Sequence, residues 1–91
     1  MAHSVSLSWT ASTDAVDGYN IYKGPTSGSE STKVNAALVT TTTFVDSTAT
    51  PGSEFYAVKS SLGGVESVLS NSVDAVILPA PPTALTLVSV S

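Results

Sequence analysis

Few residues of this chain could do chemistry, and their spacing argues against catalysis. There is one His, His3, close to the N terminus, where a solvated terminal side chain is expected. A Ser–His–Asp relay needs an imidazole held between its partners, and nothing in the spacing supplies one. The Ser residues of "SLGGVES" lack the flanking pattern of a nucleophile elbow. Its glycines form no phosphate-binding pattern either, so a hairpin turn is expected there. Asp14 and Asp17 in "STDAVDG" could offer oxygen ligands to a weakly held Ca²⁺. Side chains bonding their own turn backbone are the simpler reading. Glu30, Asp46, Glu54, Glu66 and Asp74 are spread over different loops and strands, where a solvated surface accounts for them. Paired acids for glycoside hydrolysis need a cleft between them, which a small domain does not offer by default. Tyr22, and Tyr56 in a shifted strand register, could stack on sugar rings. Packing on neighbouring strands or subunits is the commoner use of such residues. No catalytic residue, cofactor site or metal ligand is assigned.

Composition narrows the partners. The chain has 91 residues, of which 42 % are hydrophobic and 11 % charged, so one domain with a modest core is expected. Its polar surface must be built largely from Ser and Thr, as in "SWTAST" and "VTTTTFVDSTAT". Net charge is -4, with three Lys and no Arg. A groove that neutralises phosphates needs clustered cations, and Lys23, Lys33 and Lys59 are scattered, which argues against nucleic acid. The absence of cysteine excludes a disulfide and a thiolate metal site. No apolar run reaches membrane-spanning length, so no membrane insertion is expected. "MAHSVSLSWT" does not read as a signal peptide. The Ser/Thr-rich, weakly charged surface is associated with extracellular or cell-surface β-proteins and with phage particles.

The elements that must position these residues are short strands. β-branched residues abound, apolar positions alternate, and Gly, Pro, Asn and Asp recur about every 8–12 residues, the pattern of a β-sandwich. "SVSLSW" puts Val5, Leu7 and Trp9 on one face. "YNIYK" turns Tyr19 and Ile21 inward and Asn20 and Tyr22 outward. A short edge strand is expected around Val34, then a strand anchored by Phe44. "TPGS" reads as a turn, "EFYAVKSS" as a strand, and "SNSVDAVIL" as the last strand of the body.

Residues 4–78 resemble a fibronectin type III domain of the bacterial kind. The residues that carry the resemblance are the Trp of "VSLSWTAS", "GYNIYKG", "TPGSEFYAV" and "GGVESVLSNSV", in the family's order. The resemblance implies an immunoglobulin-like sandwich with strands B to G, and says little of function. One departure concerns the tyrosine corner. The family's corner position, counted from Gly52, falls on Phe55, which has no hydroxyl, whereas alternation groups Tyr56, Val58 and Ser60 on one face.

The family's first strand is missing from the front of the chain. Its pattern occurs instead at the end, where Pro82, Leu85, Leu87 and Val90 carry the spacing of strand A in "PPTALTLVSVS". In such a sandwich strand G ends at one pole and strand A begins at the other, on the order of 30 Å away at ~3.3 Å per residue. The connector, residues 79–82, reaches at most ~13 Å. The tail is therefore expected to fill the strand-A place of a neighbouring copy by donor-strand complementation.

The expected organisation is a body over residues 1–78, a Pro-rich connector over 79–82 and a donor segment over 83–91. The expected fold is all-β, a fibronectin type III-like (immunoglobulin-like) β-sandwich with a C-terminal donor strand. Leu85, Leu87 and Val90 are the assembly donors; Val5, Leu7 and Trp9 line the acceptor. The expected function is that of a non-enzymatic subunit of a linear homopolymer, because a head-to-tail contact that does not close gives a filament. Two alternatives stand beside it. One is a monomeric binding or spacer module from a larger extracellular or carbohydrate-active protein, with a carbohydrate or cell-surface ligand and a loose tail. The other is a phage virion decoration protein that docks a different partner.

Overall fold

The computed structural model describes residues 3–90. Met1, Ala2 and Ser91, at the ends of the expected body and donor segment, lie outside the described residues. No helix occurs among the described residues, and the strands form two sheets, an all-β architecture consistent with a β-sandwich.

The smaller sheet has two strands. β1 (His3–Ser8) runs antiparallel to β4 (Thr43–Ala49), with Leu7 opposite Phe44 and Val5 opposite Asp46. Alternation makes β1 amphipathic: Val5 and Leu7 are half-buried, while Ser4, Ser6 and Ser8 face solvent. Trp9 continues the inward row just past the strand, its N–H still bonded to the Thr42 carbonyl at 3.0 Å. His3, expected to be a loose terminal residue, is instead the first residue of β1 and pairs with Ala49. A register shift between His3 and Val5 bends the strand there.

The larger sheet is ordered β3–β2–β5, with β6 and β7 both on the far edge of β5. β2 (Gly18–Gly24) buries Tyr19 and Ile21, as alternation requires, and β3 (Thr32–Lys33) is a two-residue edge strand just before Val34. β5 (Gly52–Leu62) is the longest strand and pairs through Phe55–Ser61 with the whole of β2. Gly63 and Gly64, with φ of 59° and 82°, turn the chain in two residues into β6 (Val65–Glu66). Two consecutive left-handed residues match the twist of a tight hairpin, and glycine adopts them without a Cβ clash.

The expected last strand is shortened, and β6 falls in the segment expected to be a hairpin loop. β7 proper covers only Val73–Ile77. Between β6 and β7 two serines stand in for backbone acceptors: the Ser60 N–H donates to Ser67 Oγ at 3.0 Å, and the Val58 N–H to Ser70 Oγ at 2.9 Å. The N–H groups of Ser67 and Ser70 return bonds to the carbonyls of Ser60 and Val58. The ladder is thus kept while the strand bulges.

The core lies between the sheets. Tyr19, Ile21, Tyr56, Ala57, Ala49 and Ile77 are buried, and the Trp9 ring meets Tyr19 edge-on at 5.5 Å. Phe44, expected to anchor its strand, is only half-buried, and the deeply buried residues of β4 are Asp46 and Ala49. After Ile77 the chain leaves the sheet. Residues 78–90 are exposed, form no strand and make no hydrogen bond among the described residues. The tail extends the molecule to 68 Å in its longest direction against 21 and 19 Å in the others.

Candidate functional site: an open sheet edge and an unpaired tail

A strand pairs along two edges, and β1 uses one. In an antiparallel ladder the residues exchanging both bonds with the partner alternate with residues whose N–H and C=O point away. The Trp9 N–H bonds to Thr42, on the side of β4. Leu7, of the same parity, also faces β4, so Ser6 and Ser8 present their N–H and C=O groups along the outer edge. No described strand takes them up. Such an edge is a template for a further strand.

Beside that edge the sandwich gapes. A groove of about 400 Å³ runs between the end of β1 and β5, lined by Trp9, Tyr19, Val58, Val68 and Ser70 among others. A smaller recess of about 50 Å³ continues it past Leu7, Tyr56 and Val73. Of the three acceptor residues expected from the sequence, Leu7 and Trp9 line this groove and Val5 lies on the same face of the same strand. Val73 belongs to the inward face of β7 yet is 45 % exposed, because nothing closes the sandwich on that side. The outer edge of β4 is free as well, but the apolar gap lies on the β1 side.

The expected donors are not seated on any sheet edge of the single chain. Leu85 is 97 % exposed, Leu87 80 % and Val90 81 %. The last pair of β7, Ile77 opposite Gly52, lies at the pole where β1 begins, far from Trp9. Ala84 has φ of 57°, in the left-handed region, so residues 83–90 do not run as one continuous strand in the single chain.

Several ionisable groups make structural contacts. Asp46 and Glu30, expected on a solvated surface, are buried, with 1 % and 4 % exposure. The Tyr56 hydroxyl lies 2.7 Å from Asp46 Oδ2 and 3.0 Å from Glu54 Oε2. It has one proton to give, and the nearer carboxylate takes it. Asp46 also accepts from the Thr48 N–H and hydroxyl, and Lys23 Nζ stands 3.5 Å from Asp46 and from Glu54. Burial alone would raise the Asp46 carboxyl, but the bonds from Thr48 and Tyr56, with Lys23 nearby, hold it below the usual range. The Tyr56 hydroxyl is pushed well up, by burial first and then by its two carboxylate neighbours.

Tyr56 is therefore an inward link between the sheets and not a sugar-stacking candidate. Strand β5 keeps the register in which alternation groups Tyr56 with Val58 and Ser60. Tyr22 is half-buried and engaged: its hydroxyl donates to Glu66 Oε2 at 2.6 Å, and Lys59 Nζ lies 5.0 Å from its ring centre. The bond to the ionised Glu66 raises Tyr22 and lowers Glu66. Asp17 does not bond its own turn. It accepts the Gly63 N–H at 2.9 Å and so ties the loop before β2 to the β5–β6 hairpin. Among the described residues no group of three or more His, Cys, Asp or Glu could hold a metal ion. The Tyr56–Asp46 link was missed because a carboxylate in an alternating strand reads as surface. Its only sequence signal was that Asp46 shares the parity of the inward-facing Phe44.

Comparison with protein-family models, curated proteins and solved structures finds no match to this chain.

Proposed function

We propose that this chain is a non-enzymatic structural subunit, fibronectin type III-like in fold, that polymerises head to tail by donating its C-terminal strand. The observation that carries the reading is a complementary pair of deficits among the described residues: an unpaired edge at one end, beside a groove where Trp9, Tyr19, Val58 and Val68 lie among serines and a threonine, and an apolar segment without a partner at the other. The likeness of the tail to strand A sets the direction, antiparallel to β1. Thr86 then exchanges backbone bonds with the outer edge of β1 at Ser6 or Ser8. Leu85 and Leu87 fall on the groove side with Leu7 and Trp9, because directly opposed residues share a face.

Reach makes the contact intermolecular. β5 alone spans about 36 Å at ~3.3 Å per residue, and the tail starts at the pole away from Trp9. Residues 79–82 cover about 13 Å. An antiparallel strand beginning at the Trp9 end must come from another copy. Burying Leu85, Leu87 and, past a break in alternation that returns it to the groove side, Val90 contributes roughly 1.5–3 kcal/mol each, about 5–9 kcal/mol together before ordering costs. Such a polymer fits a thin beaded fibre outside the cell or on a phage particle.

Negative-stain electron microscopy with light scattering tests the reading. The purified chain should give fibres with a repeat near one domain length, lost on deleting residues 83–91 and blocked by that segment as a free peptide. A monodisperse monomer with the tail present would overturn it, whether the tail lay loose or ran parallel to β1 on its own body.

A further inference from the structure

The pole that a donated strand must enter carries a second apolar surface. Leu62 and Val65 flank the Gly63–Gly64 turn and are 53 % and 73 % exposed. With Val16 and Ala15 they line a broad depression, bordered also by the carboxylates Asp14 and Glu66, that shares Ser60 and Ser67 with the groove beside Trp9. The hairpin is held in place, since Asp17 accepts the Gly63 N–H and donates its own N–H to the Ser61 carbonyl. Two large apolar side chains on a braced hairpin tip stay exposed among the described residues.

We propose that this depression receives Leu78 and the connector, residues 79–82, of the neighbouring subunit, and thereby fixes the angle between successive subunits. The inference rests on the filament reading and adds a second contact to it. Three observations choose the occupant. A strand running antiparallel to β1 enters beside Trp9, so the residues just before it must lie at this pole. Those residues are apolar and stiff: Leu78 is 73 % exposed, and Pro79, Pro81 and Pro82 hold an extended backbone with no N–H to satisfy. The connector has no charge, and an uncharged extended segment can lie on Leu62 and Val65 without stranding an ion. The donated strand supplies the length of the contact, and the connector on the hairpin supplies its direction.

The chain has no cysteine, so introduced pairs report contact cleanly. The test compares Val65→Cys with Ala80→Cys, both in the full chain, under mild oxidation. Fibres of this double variant should give a ladder of covalent multimers on a denaturing non-reducing gel. A control with Val45→Cys, exposed on β4, and Ala80→Cys should stay monomeric on the gel. In parallel, Leu62→Asp with Val65→Asp should leave fibres that still form but bend freely between beads. Fibres that stay equally straight, or a ladder no stronger than the control, would overturn the junction while leaving the donor strand standing. If the unaltered chain formed no fibres, the filament reading would fall and the junction with it.

Discussion

Replacing Tyr56 with Phe removes one oxygen and tests whether the two sheets are tied through Asp46. The hydroxyl donates to a carboxylate that is 1 % exposed, over 2.7 Å. A hydrogen bond to a charged group contributes about 1.5–3 kcal/mol, and leaving the acceptor short of a donor loses that amount. Asp46 would keep the Thr48 N–H at 2.9 Å, the Thr48 hydroxyl at 2.6 Å and Lys23 at 3.5 Å. The ring stays in place, so no cavity adds to the loss. We therefore expect about 2 kcal/mol. For a domain of this size that lowers Tm by roughly 8–16 °C, at about 4–8 °C per kcal/mol. Urea unfolding followed by the fluorescence of Trp9, the single tryptophan, reads the change at neutral pH. It should be made in a Leu87→Asp background, so that assembly does not contribute to the midpoint. The loss should shrink in acid, because a protonated Asp46 no longer offers a charged acceptor. A change under about 0.5 kcal/mol, the ordinary scatter of surface substitutions, would show that the link does not stabilise the fold.

Stability should fall at both ends of the pH range. Asp46 is held below its ordinary value, so its contribution is present above the unfolded carboxylate pKa near 4 and is lost as pH falls through the folded value. Tyr56 is raised, so its contribution is complete below the unfolded tyrosine value near 10 and is lost as pH rises beyond it. Chemical denaturation across pH should show both limbs, and Asp46→Asn should flatten the acid one. Gly24→Ala should destabilise by more than 1 kcal/mol, because the new Cβ would collide with the backbone of Ser29; a urea midpoint reads it. Asn35→Ala should cost about 1–3 kcal/mol, since Asn35 Oδ1 accepts the buried Ile21 N–H at 2.8 Å; faster hydrogen exchange at Ile21 would be its local signature. Leu87→Asp should abolish fibres with little change in the fold of the body, because its side chain touches nothing in the single chain; sedimentation velocity and circular dichroism separate the two effects.

Strand content was legible because period-two alternation is local. Val5, Leu7 and Trp9 stand on one face of β1, and Tyr19 and Ile21 on one face of β2, as a pleated backbone requires. The two-residue turn at Gly63–Gly64 was readable for a similar reason. The boundaries of β7 were not, because Ser67 and Ser70 keep the ladder by side-chain bonds that leave no trace in hydropathy. Phe44 was overvalued and Asp46 undervalued for one shared reason: depth within a sandwich depends on what lies across the gap, here Tyr56.

The amino-acid sequence by itself determined the all-β character and the presence of an apolar terminal segment joined by a short, proline-rich link. Those are properties of neighbouring residues: alternation, turn chemistry and chain reach. Only the tertiary structure decided that β1 keeps one edge free, that a groove opens beside Trp9, and that a buried carboxylate joins the sheets. Edges, gaps and depth arise between segments far apart in the chain, and no local pattern encodes them.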